Sequence, residues 1–213
     1  TVKLQGNYKG EKELSYKIYN ISYDIPYGDG LNASLLELIS KDYDVSKADL
    51  KVEKIVSSEE VSAGTDLSKY ISIEGETLKV SPSIPASKYV ISIKNNNDSI
   101  PQFYVNLSVA KATPELSIKD KTTVYTGNEL TLDDISLKFK NNESFGYIKN
   151  IVSFDYYTNK ECTSLVKNTP VNVGTYYVKA YVKAPNGNYE NVTSNVATLT
   201  IQKAKQNLTG STS

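Results

Sequence analysis

The chain has 213 residues, with 24 Lys+Arg balanced by 24 Asp+Glu, no His, no Trp, one Cys and 17 Tyr. A formal net charge of zero, with every cation a Lys, argues against nucleic acid and gives no reason to expect an anionic membrane surface as partner. The absence of His removes Ser-His-Asp triads, His-based metal sites and the commonest general base, and a single Cys permits no disulfide within the chain.

The local pattern is β almost throughout. In chain order, period-two alternation predicts strands over Lys51 to Val56, Ser87 to Lys94, Gln102 to Val109, Glu115 to Lys119, Ile135 to Phe139, Thr175 to Lys183 and Thr198 to Gln202. Tyr, Val, Ile and Thr dominate them, as suits a half-buried pleated surface. Turn residues fall between the strands, at 27–30, 74–76, 95–98, 126–128 and 185–188. One stretch reads differently. Asn32 is placed to cap a short helix running to Ser40, with Leu35, Leu36, Leu38 and Ile39 apolar. From Tyr176 to Val182, one strand face takes Tyr176, Val178, Ala180 and Val182. The other takes Tyr177, Lys179, Tyr181 and Lys183 and is expected to be solvated. A Tyr near the start of this strand is placed to hydrogen-bond backbone at the corner of a sandwich.

The chain also repeats itself. Gly6-Asn7-Tyr8 returns as Gly187-Asn188-Tyr189, and both copies lead into an alternating run that stops on Ile18 or Ile201. A repeated unit points to an array rather than a single catalytic body. The joint at Ala110-Lys111-Ala112 and the joint at Lys203-Ala204-Lys205 sit in equivalent places. Both are short, so neighbouring domains are expected to be partly stiff. The chain is therefore read as a fragment that opens inside a repeat. No apolar run of about 18 residues is present to span a membrane, and no signal peptide is found.

An ordered series carries a family resemblance. It runs through Lys111-Ala112-Thr113-Pro114, Tyr125-Thr126-Gly127-Asn128 and Asp155-Tyr156-Tyr157-Thr158-Asn159-Lys160-Glu161-Cys162-Thr163. It continues through Pro170-Val171-Asn172-Val173-Gly174-Thr175-Tyr176-Tyr177 and Gly187-Asn188-Tyr189. This series resembles the tandem bacterial immunoglobulin-like repeats of the MBG type found in cell-surface proteins, strongest over 111–205 and 1–20. The segment 21–110 only loosely resembles an immunoglobulin-like or cadherin-like module. The resemblance implies β-sandwiches serving as spacer or adhesive segments, and it transfers no catalytic residue.

The remaining chemical signals are weak. Cys162 lacks a His to activate it. The pairs Asp133-Asp134 and Glu59-Glu60 are adjacent residues whose side chains point apart in a strand or turn. Tyr27-Gly28-Asp29-Gly30 and Asp42-Tyr43-Asp44 offer oxygens for calcium but fit neither an EF-hand loop nor the cadherin ligand series. Outward Tyr residues could stack on sugars. Asn-x-Ser/Thr sequons occur at Asn20, Asn32, Asn97, Asn106, Asn142, Asn191 and Asn207, and Asn106 is expected to point outward from a strand.

The expectation is an all-β chain of tandem immunoglobulin-like β-sandwiches in an elongated array. Its parts are a hairpin of a preceding repeat (1–20), a divergent sandwich (21–111), an MBG-type sandwich (112–205) and a linker or tail (206–213). The expected function is a non-catalytic extracellular spacer of a bacterial surface or secreted protein. No catalytic residue, cofactor or metal is assigned, and the expected partners are neighbouring repeats, with the chain monomeric. Two alternatives stay open. One is an adhesin segment binding a glycan or host protein, and the other is an accessory module of a secreted polysaccharide-degrading enzyme.

Overall fold

Strand alternation organises most of the chain in a computed structural model that describes residues 2–3, 11–12, 19–58, 61, 65–96 and 100–205. Within 1–18 only backbone pairing is described. There β1 (Val2–Lys3) runs antiparallel to β2 (Glu11–Lys12), with Val2 opposite Lys12. The copy Gly6-Asn7-Tyr8, the pair Glu59-Glu60, the sequons at Asn97 and Asn207, and the tail 206–213 lie outside the described residues. The chain divides into two compact units, Thr1–Ala110 and Lys111–Ser213. Lys111 thus falls with the second unit.

Besides the β1–β2 pair, the described residues of the first unit form seven strands in two sheets. They are β3 (Asn20–Pro26), β4 (Leu31–Ser34), β5 (Leu50–Ser57), β6 (Ile71–Glu74), β7 (Thr77–Val80), β8 (Ser87–Asn95) and β9 (Phe103–Ala110). One sheet has the order β3-β9-β8-β5 and the other β4-β7-β6. The first strand lies parallel to the last, from Asn20 opposite Tyr104 to Pro26 opposite Ala110, and every other pairing is antiparallel. This strand order is that of an immunoglobulin-like sandwich. Tyr19 is buried, and its carbonyl accepts from Tyr104 N–H at 3.1 Å. Tyr19 and Asn20 thus pair with the last strand of this sheet.

Alternation fixes the core. Residues Phe103, Val105, Leu107 and Val109 are buried at every second position of β9, and Tyr89, Ile91 and Ile93 do the same on β8. Each such side chain contributes roughly 1.5–3 kcal/mol by leaving water. The helix expected from a cap at Asn32 is shorter than that. Leu31–Ser34 pairs with β7, so Asn32 sits in a strand, and α1 is a single turn over Leu36–Ile39 following Leu35. Leu35, Leu36 and Ile39 plug the core while Leu38 stays exposed. Strand pairing won because Leu31 and Ala33 alternate against β7, whereas four apolar residues make too short a helix to stand alone. At the turn before β4, Gly30 has φ +68, and a Cβ there would meet the Val80 carbonyl at 2.8 Å.

The second unit is built on the same frame with one sheet reduced. Its strands are β10 (Glu115–Ile118), β11 (Lys121–Val124), β12 (Ile135–Lys138), β13 (Val152–Tyr157), β14 (Leu165–Val166), β15 (Gly174–Val182), β16 (Val192–Thr193) and β17 (Ala197–Gln202). A one-turn α2 (Ile148–Ile151) precedes β13. The large sheet has the order β11-β17-β15-β13-β14, with β16 also on β15, and β11 runs parallel to β17. The second sheet holds only β10 and β12. The first unit places the β6–β7 hairpin between β5 and β8. Here only residues 167–173, with Pro170 among them, separate β14 from β15, which is too short for a hairpin of strands.

The crossing from β10 to β11 is pinned by side chains acting as backbone. Asn195 accepts from Ile118 N–H at 3.0 Å and donates to the Ile118 carbonyl at 2.9 Å. Asp120 accepts from Thr198 N–H at 2.7 Å. The core is Val178, Ala180, Val182, Leu199 and Ile201 against Ile118 and Leu132. The face of β15 expected to be solvated is half-buried instead at Tyr177, Lys179 and Tyr181. Tyr157 lies buried on the neighbouring strand, with its hydroxyl 3.3 Å from that of Tyr181. Aromatic rings on adjacent strands cover one another even on an outer face.

Candidate functional site

The residues nominated by the sequence do not converge. Asp133 pairs with Lys121 and Asp134 with Lys119, each at 3.0 Å, so the two adjacent carboxylates are held by different lysines. Lys121 lowers the Asp133 carboxyl below its usual range. Asp44 accepts from Ser46 N–H at 3.0 Å, as in a local Asx turn. Tyr27 is buried, and the turn after it is tied by Gly28 N–H to the Pro82 carbonyl at 3.1 Å. Among the described residues, no group of three or more Cys, Asp or Glu is placed to hold a metal ion. Cys162 is a half-buried free thiol at φ 55, and its Sγ sits 3.5 Å from the Lys160 carbonyl. Two sequon residues meet across β3 and β9, where Asn106 donates to the Asn20 side-chain oxygen at 2.6 Å.

Tyr is the residue with the most distinct roles. Tyr89 and Tyr176 are each the third residue of the corresponding strand, β8 and β15. Tyr89 donates to the Pro85 carbonyl at 2.7 Å and Tyr176 to the Asn172 carbonyl at 3.1 Å, both four residues upstream. Both are tyrosine corners. The hydroxyls of Tyr89 and Tyr156 are pushed up to about 12, in each case chiefly by burial, with Tyr70 and Glu129 respectively adding to the effect. Tyr181 is also raised, by burial first and then by the hydrogen bond with Tyr157.

These shifts have a consequence at alkaline pH. A folded-state value above the unfolded value of about 10 means that the unfolded chain loses its proton first. The stability contribution is complete below about pH 10 and is lost as the pH rises from 10 through about 12. The melting temperature should therefore fall across that window, in step with phenolate absorbance. A flat Tm there would contradict the assigned environments.

One concavity stands out, and the sequence did not announce it. It lies in the second unit, has a volume of about 670 Å³, and is lined by Asp133, Ile135, Ser144, Gly146, Tyr147, Ile148, Lys149 and Asn150. It opens beside β12, whose outer edge pairs with no strand among the described residues. The loop from 140 to 150 that forms its wall is pinned from below. Phe139, Phe145 and Tyr189 stack edge to face at centroid distances of 4.7, 5.0 and 5.7 Å. The Tyr189 hydroxyl donates to Glu143 at 3.1 Å. Asn141 and Asn142 take φ of 54 and 55, and Gly146 takes 107. For the two Asn residues such backbone persists where its surroundings hold it, whereas Gly146 adopts its φ freely. Above this support Tyr147 projects, 81% exposed.

No protein-family model matches the chain, and no curated protein matches it. Among solved structures it is similar to EC1-3 of Drosophila N-cadherin, at 7% identity and a TM-score of 0.29, over 86% of this chain and 65% of that one. It is similar to EC1-2 of human mucin-like protocadherin, at 12% identity and a TM-score of 0.31, over 88% and 98%. It is similar to the I9-I11 tandem of titin, at 14% identity and a TM-score of 0.27, over 89% and 65%. The chain thus spans less than two thirds of the N-cadherin and titin chains. The immunoglobulin-like architecture is seen directly in the strand order of the two sheets of the first unit.

Proposed function

We propose that this chain is a non-catalytic spacer segment of an extracellular bacterial protein, of the MBG-like repeat type, that holds other modules apart under load. The observation that carries this reading is a strand near the start of each unit that runs parallel to the unit's last strand, β3 with β9 in the first and β11 with β17 in the second. In the first unit the chain enters at Asn20 beside Tyr104 and leaves at Ala110 beside Pro26, at the other end of the sheet. In the second, Ala112 bridges Tyr189 near the entry, and Tyr125 N–H reaches the Gln202 carbonyl at 2.8 Å where the last strand ends. A module entered at one pole and left at the other is loaded along its strands. All bonds of the parallel ladder must then shear together, and none can be unzipped singly. A chain with a single Cys owes none of this resistance to internal disulfides.

Single-molecule stretching tests the proposal. The first unit should give a distinct force peak, followed by extension of about 3.3–3.6 Å per released residue. Tyr104 N–H donates to Tyr19 and Tyr27 N–H donates to Ala110, which by alternation turns the N–H of Tyr23 toward β9 and that of Ser22 away. Tyr23→Pro should lower the peak, while Ser22→Pro, with the same backbone restriction, should keep it. Extension without a peak, or equal peaks for the two variants, would refute load bearing.

A further inference from the structure

We propose that the concavity beneath Tyr147 is a carbohydrate-binding site that takes a pyranose ring of a polysaccharide. The inference is independent of the spacer reading, since it concerns a surface of the second unit that the parallel ladders do not use.

A pyranose has one flat face of C–H bonds and a rim of hydroxyls. It is held by a planar aromatic ring that packs on the flat face and by fixed polar groups at the rim. Tyr147, at 81%, is the most exposed of the large apolar side chains described. An exposed aromatic ring beside a hollow lined by polar side chains has the form of a ligand site. Here the backbone that carries the ring is fixed. Asn150 N–H donates to the Tyr147 carbonyl at 2.8 Å, and Gly146 turns the chain immediately before it. Four polar side chains line the same hollow: Asp133, Ser144, Lys149 and Asn150. Between them they offer acceptors and donors suited to sugar hydroxyls. Asp133 is kept in place and charged by Lys121 at 3.0 Å. The volume of about 670 Å³ falls in the range of small-ligand sites, roughly 300–1,000 Å³.

Other occupants fit less well. An added peptide strand would have to pair with β12, which is only four residues long and is flanked by Asp134 and ends on Lys138. Short, charged edges resist strand addition. A phosphate ligand would meet one lysine, Lys149, across from the Asp133 carboxylate, and no arginine.

Isothermal titration of the full chain with soluble xyloglucan, xylan, galactomannan and mixed-linkage β-glucan tests the site. At least one of them should bind. Tyr147→Ala should weaken that binding about tenfold or more with an unchanged Tm, because the ring packs on little of the protein. Tyr147→Phe keeps the stacking surface and should retain most of the affinity. Tyr104→Ala, on the first unit and 37% exposed in the parent chain, should change nothing. The proposal is overturned if no polysaccharide binds, if Tyr147→Ala binds as the parent does, or if Tyr104→Ala abolishes binding. Capture of an extended peptide in place of sugar, lost with Tyr147→Ala, would also overturn it in favour of a protein partner. A failure in the stretching experiment leaves these outcomes untouched, and the reverse holds equally.

Discussion

Replacing Tyr189 with Ala should destabilise the second unit by about 3–5 kcal/mol, the range for a large aromatic removed from a core. Tyr189 is 1% exposed and lies at the meeting point of that unit's supports. Its ring packs on Phe139 at 5.0 Å and Phe145 at 5.7 Å, and its hydroxyl reaches Glu143. Its backbone N–H closes the 186–189 turn, and Ala112 exchanges hydrogen bonds with its neighbours Asn188 and Glu190. The loss is comparable to the whole stability of many small domains, so the unit should be largely unfolded at moderate temperature. The first unit has its own core around Phe103 and Ile91, and its transition should stay in place. Calorimetry should resolve one lowered transition and one unchanged. A single transition moving as a whole would show that the two cores are not independent.

Two Tyr→Phe changes at buried rings should have unequal effects. Tyr89 is 1% exposed and its hydroxyl donates to the Pro85 carbonyl at 2.7 Å. Tyr89→Phe leaves that carbonyl without its donor and should cost about 1–3 kcal/mol. Tyr156 is also buried, yet its hydroxyl has no hydrogen-bond partner among the described residues. Removing an unsatisfied buried hydroxyl relieves a desolvation cost, so Tyr156→Phe should be neutral or stabilising. Denaturant midpoints of the two variants against the parent decide the matter. Equal destabilisation by both would mean that the Tyr156 hydroxyl is bonded in solution. The pair also separates contributions to the alkaline transition, since each change deletes one raised phenol.

The sequence by itself determined the β character, the core-facing alternation of the long strands and the absence of His for triad chemistry. These follow from alternation and from residue types, which are local properties. The strands centred on Ile91, Val105 and Val178 were legible because each shows an uninterrupted period of two. The short strands Leu31–Ser34 and Lys121–Val124 were not, although the equally short Glu115–Ile118 and Ile135–Lys138 were, because alternation over four residues is too weak a signal to separate strand from loop consistently. Asn32 shows the limit most plainly. It looked like a cap because its own neighbours allow one, and only the facing strand Thr77–Val80 decided otherwise.

The tertiary structure alone decided that β3 lies parallel to β9 and β11 to β17, and so at which pole each unit is entered and left. A corner Tyr at the start of β15 was expected from the sequence, but that it is Tyr176 reaching Asn172, and that Tyr89 makes a second corner on Pro85, was decided by the chain reversal in three dimensions. Tyr147 belongs to the same class. In the sequence it is one of 17 Tyr residues in a loop after a Gly. Its exposure, and the hollow beside it, arise because residues 167–173 are too few to build the strand that would cover the open edge of β12, and no single-residue signal encodes that shortfall.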